Sequence, residues 1–180
     1  MTSLTDAEIQ ALHDALDDED HAWSVYSQVL QDFGPVRPFL NIRDSEQRHI
    51  QALHRLFHRY NLPISPNPWG MATVPRFKSL KEASEAGVQA EIDNVDLYKR
   101  ILGATERPEI LQVFRRLQAA SQERHLPAFQ RAAARYRDEA GSVEPDGHGP
   151  GSCGAGQHHC RGRGDGRRRH GPETDQRVER

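Results

Sequence analysis

Apolar residues recur through residues 1–140 at alternating steps of three and four, the spacing that lines up one face of an α-helix. A first run reads Ile9, Leu12, Leu16, Glu19, Trp23, Tyr26, Leu30 and Phe33. A second reads Phe39, Ile42, Glu46, His49, Leu53, Leu56 and Tyr60. The third, Leu80, Ser84, Gly87, Glu91, Asn94, Tyr98 and Ile101, is flanked by Val88, Val95 and Leu102. A fourth is less regular, with Leu111, Phe114, Ser121, His125 and Ala128 on one face and Gln118, Gln122 and Phe129 beside it. No strand-like alternation of useful length occurs, so the pattern predicts an all-α chain.

Start and stop signals bound these runs. Thr5 and Glu8 have the spacing of a capping box, and Gly34 with Pro35 ends the helix they begin, which predicts helix 1 over Asp6 to Phe33. Helix 2 is expected from Val36–Pro38 to Tyr60. Ser79 and Glu82 form a second capping-box pattern, and Gly103 closes helix 3 at Leu102. Pro108 suits the first position of helix 4, which runs to Asp138 with a kink at Pro127, where a backbone donor is missing. The connections after helices 1 and 3 are short, so each pair forms an antiparallel hairpin. Residues 61–78 hold four prolines and stay extended. Eighteen extended residues reach about 60 Å, against about 37 Å for a helix of some 25 residues. The linker is therefore expected to cross the whole bundle, so that helix 3 starts at the far end.

Composition separates this core from the rest of the chain. The chain has 180 residues with 36% hydrophobic, a mean hydropathy of -0.81, a formal charge of -2 and a pI near 6.5. Ten of its fourteen glycines lie in residues 141–180. Two parts are expected: a bundle over 1–140, and a disordered Gly/Arg/His-rich tail over 141–180 that cannot repay its ordering entropy. Both cysteines, Cys153 and Cys160, fall in that tail near His158 and His159, in a spacing that matches no defined zinc finger. The charge balance argues against specific nucleic-acid binding, and no apolar run is long enough to span a bilayer. The first six residues lack the basic and apolar regions of a secretion signal, so a cytoplasmic setting is expected.

The seams carry the chemistry. Each is interrupted near its middle by metal-type ligands: Glu19 in helix 1, Glu46 and His49 in helix 2, Glu91 in helix 3, and Gln122 and His125 in helix 4. Mid-length residues share one layer of a bundle whichever way the helices run. Three carboxylates and two imidazoles would meet in an apolar cross-section, at a cost of several kcal/mol per uncompensated charge. A metal ion neutralises such a cluster, and oxygen with imidazole donors suits iron, manganese or zinc. In Glu-x-x-His the i and i+3 positions set both side chains on one face. Gln122 stands where a second such motif would place a glutamate. Three glutamates leave two divalent ions with one excess positive charge, so both a two-metal and a mononuclear site stay open. If residue 122 is the depleted bridge, Gln122→Glu restores the fourth carboxylate.

The chain resembles the ferritin-like superfamily of di-iron carboxylate bundles, and more closely a prokaryotic ferritin-like family catalogued as a domain of unknown function. The resemblance covers residues 4–135. It rests on residues 4–8 (LTDAE), 33–38 (FGPVRP), 42–49 (IRDSEQRH), 67–69 (NPW) and 123–129 (ERHLPAF). It implies a ferritin-like antiparallel four-helix bundle with one long crossover between helices 2 and 3. Glu19 and Glu91 would be terminal ligands, Glu46 a bridge, and His49 and His125 terminal imidazoles, with Gln122 in the second bridging place. It also implies iron, di-iron or mononuclear, and a homodimer. The expected activity is Fe(II) oxidation or reduction of dioxygen or peroxide, with a non-catalytic metal-binding or structural bundle as the alternative. Fold alone does not select among these.

Overall fold

The computed structural model describes residues 3–70 and 73–141. The expected tail, with Cys153, His158, His159 and Cys160, lies outside the described residues. Among the described residues every regular element is a helix and there is no strand. Helix α1 spans Asp6–Phe33, α2 Phe39–Arg59, α3 Leu80–Gly103 and α4 Pro108–Ala120. A π-helical turn, Ser121–His125, continues the rod without a break, and α5 completes it over Leu126–Gly141.

Local chemistry accounts for the ends. At Thr5 the box is reciprocal: the Glu8 amide donates to Thr5 Oγ1 at 3.2 Å, and the Thr5 amide donates to Glu8 Oε2 at 2.8 Å. Gly34 ends α1 at φ 80°, where a side chain would be strained, and its amide donates to the Leu30 carbonyl. Ser79 caps Glu82, but the Glu82 carboxylate takes the amide of Lys78 instead of closing a box. The fourth helix departs most from expectation. Pro127 has no N–H for the Glu123 carbonyl, and the turn before it widens so that the Leu126 amide donates to the Ser121 carbonyl five residues back. The turn just before Pro127, where a kink is expected, is a π turn.

Polar ties fix the directions of the helices. Asn94 reaches Asp18 and Arg100 pairs with Asp14, while the Tyr26 hydroxyl faces Glu91, so α1 and α3 run antiparallel. Tyr60 bonds Glu109 at 2.5 Å and His125 faces Glu46, so α2 and α4 do the same. The linker from α2 to α3 lies along α1. Leu62 and Ile64 pack near its start, beside the cluster that holds Leu12. Asn67 then donates to Ser24 Oγ, the Trp69 indole N–H donates to Asp17 at 3.0 Å, and Arg76 pairs with Asp32 near the end of α1.

The interior consists of two apolar clusters. One holds Leu12, Leu16, Leu53, Phe57, Ile101 and Phe114, and the other Tyr26, Val29, Phe39, Ile42, Ala83 and Phe129. The carboxylates and imidazoles at mid-length lie between the two. Because the clusters clamp the helices on either side, the layer between them has a fixed register.

Two consequences can be measured. Gly87 lies against Phe129: a Cβ there would meet the ring at 2.8 Å, and that ring packs on Tyr26 and Phe39 with centroids 5.3 Å away. Gly87→Ala gains about 1 kcal/mol of helix propensity but overpacks the core by about 1–3 kcal/mol. A lower midpoint in urea unfolding is expected, recovered when Phe129→Leu is added. Glu8, 5% exposed, accepts from Thr5, Thr105 and Arg107 and so ties the start of α1 to the loop before α4. Burial pushes its carboxyl up, but these hydrogen bonds outweigh burial and hold it below the usual range. The stability it adds is full above the unfolded-state value, about 4.3, and is lost as pH falls through the lower folded value. The stability gap between the natural chain and Glu8→Gln should therefore shrink as pH is lowered below that point, in urea melts across a pH series.

Candidate metal centre

Glu19, Glu46, Glu91 and His125 are each 5% exposed or less and come from all four rods of the bundle. Glu46 is their hub. Its Oε2 lies 2.8 Å from His49 Nδ1 and its Oε1 lies 3.1 Å from His125 Nδ1, so one carboxylate spans both imidazoles. Glu19 Oε2 approaches the same His49 nitrogen at 3.0 Å, and Glu91 Oε1 approaches His125 Nδ1 at 3.6 Å. The imidazole rings stack at 5.8 Å. Around them, Ser45 Oγ lies 3.4 Å from His49 Nε2, and the Tyr26 hydroxyl donates to Glu91 at 3.4 Å. Arg43, three residues before Glu46, pairs with its neighbour Asp44.

The donors form two overlapping triads, Glu19/Glu46/His49 and Glu46/Glu91/His125, within each of which one ligand atom per residue lies within 4.8 Å of the others. Bonds of about 2.1 Å set donors roughly 3–3.5 Å apart around an ion, so small side-chain adjustments close either triad. The space among the donors is about 10 Å³, the room of one atom-sized guest, and a second ion needs the side chains to move apart. In donor chemistry and spacing, these residues fit a metal.

Electrostatics show what compensates the carboxylates in the protein alone. Burial pushes both imidazoles down, but the hydrogen bonds and charges of Glu19 and Glu46 on His49, and of Glu46 and Glu91 on His125, outweigh it and push both well up. Burial likewise raises Glu46, yet the two imidazoles hold it low. Glu19 is pushed up by burial and by the neighbouring Glu46 charge. Protons on two rings stand where a cation would stand, and a metal must displace them.

Of the six residues expected at the site, the structure brings Glu19, Glu46, His49, Glu91 and His125 together. Gln122 is not among the residues lining the space, and Ser121 is. The π turn is the reason. In an α-helix the position three before His125 shares its face. A turn closed by i→i+5 bonds holds more residues, so the position four before His125 takes that place and Gln122 swings aside. Ser121 is 3% exposed, and its hydroxyl has no hydrogen-bond partner among the described residues. Asp18, Asn94 and Tyr98 line the same space and do not stand out as site residues in the sequence. Asp18 is partly buried beside Glu91 and Glu46, and burial with their charges pushes its carboxyl up to about 7 against the pull of Asn94. It raises the carboxylates around the space to four, the number that balances two divalent ions. The π turn has one sequence signal, Pro127. Asp18 has none beyond its place next to Glu19.

No protein-family model matches the chain. It is 28% identical over 148 residues to the uncharacterized protein MJ0754 of Methanocaldococcus jannaschii, covering 74% of this chain and 78% of that protein. Its structure is similar to the crystal structure of hypothetical protein MJ0754 from Methanococcus jannaschii DSM 2661, with a TM-score of 0.67 and 22% identity over 76% of this chain and 85% of that one. That likeness shows a shared fold.

The placement of residues 121 and 122 changes what a substitution should do. Gln122→Glu is now expected to leave metal stoichiometry unchanged. Ser121→Asp puts a carboxylate in the layer, so it should tighten metal binding and lower the melting temperature of the metal-free protein, because one more charge is buried. Metal titration by calorimetry and thermal melts of both variants check this. Equal behaviour of the two would place residue 121 outside the site as well.

Proposed function

We propose that this chain is a ferritin-like metal-binding protein of the cytoplasm, with non-haem iron (or manganese) at its centre and redox activity such as Fe(II) oxidation or reduction of dioxygen or peroxide. The observation that carries the reading is the sharing of Glu46 between His49 and His125, which makes two buried donor triads meet in one carboxylate. The order of the helices and the linker laid along α1 support the ferritin-like arrangement of two hairpins joined by one long crossover. Glu19, Glu46 and His49 would hold one ion and Glu46, Glu91 and His125 a second. Iron supplies the one-electron chemistry with dioxygen or peroxide that side chains lack.

The chain's own groups do the rest. In the metal-free protein both imidazoles donate from Nδ1 to Glu46, which orients them toward the layer. Ser45 steadies the far nitrogen of His49, and Tyr26 fixes the Glu91 carboxylate from the second apolar cluster. Leu16 and Leu53, buried in the first cluster, help to keep bulk water from the layer. Among the described residues no helix is long and apolar enough to cross a membrane. Ile92 and Val95, each 45% exposed on α3, are the face to probe for the homodimer that such bundles form.

One observation favours a second reading, metal binding without turnover: the fourth helix puts a hydroxyl, Ser121, in the layer where the pattern of such sites has a carboxylate. Metal analysis after anaerobic Fe(II) loading, combined with oxygen-electrode traces, separates the two. One to two equivalents of iron with Fe(II)-dependent oxygen uptake above the buffer rate, lost in Glu46→Ala, is the expected result. Iron retained with no uptake gives the second reading. Less than about a tenth of an equivalent after loading defeats both.

A further inference from the structure

The outer side of α2 and α4 is unlike the rest of the bundle. Five arginines line one groove of about 740 Å³ there: Arg48, Arg55 and Arg59 from α2, Arg116 from α4 and Arg124 from the π turn. Residues 1–140 carry 17 Lys and Arg against 20 Asp and Glu, so this gathering of one sign runs against the charge of the bundle. The one acidic residue lining the groove, Glu109, is already engaged by the Tyr60 hydroxyl and by Arg59. Arg48, Arg55, Arg116 and Arg124 have no ion-pair partner among the described residues. The floor is apolar, with Ala52, Leu56, Val113 and Leu117.

The groove also leads somewhere. His49 lies on its wall, and a second cleft of about 390 Å³ is lined by the same His49, Arg48 and Arg124 together with His125. Both imidazoles of the candidate centre are therefore reached from the arginine side. On the α1 and α3 side the centre is backed by Tyr26, Tyr98 and the Asp18–Asn94 hydrogen bond. A concave surface with one sign of charge concentrates ions of the other sign. Guanidinium forks match carboxylate and phosphate groups in geometry. Such an entrance attracts an organic anion, whose carbon skeleton suits the apolar floor.

We propose that the groove between α2 and α4 binds a small organic or inorganic anion through carboxylate or phosphate groups and presents it beside His49. This deepens the metal-centre reading by naming the class of molecule that meets the centre, and anion binding itself does not need the metal. The test uses the full chain, with and without loaded Fe(II), in calorimetric titrations with citrate, with pyrophosphate and with glycerol as the neutral control. Saturable binding of one of the two anions and none of glycerol is expected. Tighter binding of citrate identifies carboxylate recognition and tighter binding of pyrophosphate identifies phosphate recognition.

In the Arg48→Gln/Arg124→Gln double variant, binding should weaken by at least about tenfold, the loss of one or two charge-assisted contacts. Iron stoichiometry should stay unchanged. Arg131→Gln, an exposed arginine of α5 that does not line the groove, should bind as the natural chain does. The proposal is overturned if neither anion saturates, if the double variant binds as tightly as the natural chain, or if Arg131→Gln weakens binding as much. Anion binding without iron uptake would keep this proposal and remove the metal reading; iron uptake without anion binding would do the reverse.

Discussion

The central constraint on this bundle is Glu46, a carboxylate 3% exposed that has to be satisfied in the middle of an apolar interior. Burying a charge is tolerated only where partners replace the lost water. Here the partners come from two directions, His49 one turn along the same helix and His125 from across the bundle. Each imidazole brings a further glutamate with it, Glu19 and Glu91. Four rods are thus tied through one carboxylate, and the ties are short only at a single relative register. The two apolar clusters on either side enforce that register. A slip of one turn would set carboxylates against Ile42 or Leu53 with nothing to pair them.

A backbone constraint explains the wide turn in the last helix. A regular α-helix through Pro127 would leave the Glu123 carbonyl without its bond and drive the proline ring into it. Widening the turn just before the proline removes that conflict, and Leu126 closes the wider turn on Ser121. The widened turn sits at the layer, where it sets His125 opposite Glu46 and brings a small hydroxyl beside it. A long side chain at 121 would have to share a space of about 10 Å³ with four carboxylates and two imidazoles. Serine leaves that space open.

Much of this is legible in the sequence because it is local. The cap at Thr5, the stop at Gly34 and the Pro-rich linker each depend on a few adjacent residues. So does the face shared by Glu46 and His49, which needs only the i, i+3 relation. Gln122 is misplaced by a reading that assumes 3.6 residues per turn through to His125, and a single π turn changes that count. Asp18 escapes for a different reason. A seam takes one residue per turn, and whether a neighbour also reaches the layer depends on how α1 sits against Asn94 of α3. The full box expected at Ser79 fails for want of one bond, since Glu82 finds the amide of Lys78 within reach.

The two long sides of the bundle differ for a reason that begins with side-chain size. Helices α1 and α3 face each other through Tyr26, Tyr98 and the polar pairs Asp18–Asn94 and Asp14–Arg100, which fill and close that side. Between α2 and α4 the groove is lined by small residues such as Ala52 and Ala119, with arginines on both margins. Like charges on facing helices repel. Tight closure of this side would bring Arg48 and Arg55 toward Arg116 and Arg124, so the sequence that opens the groove also keeps it open. A buried acidic layer and a cationic groove then lie within one side chain of each other, with His49 belonging to both. The apolar floor and the acidic layer are separate solutions to burial, and His49 is where they join.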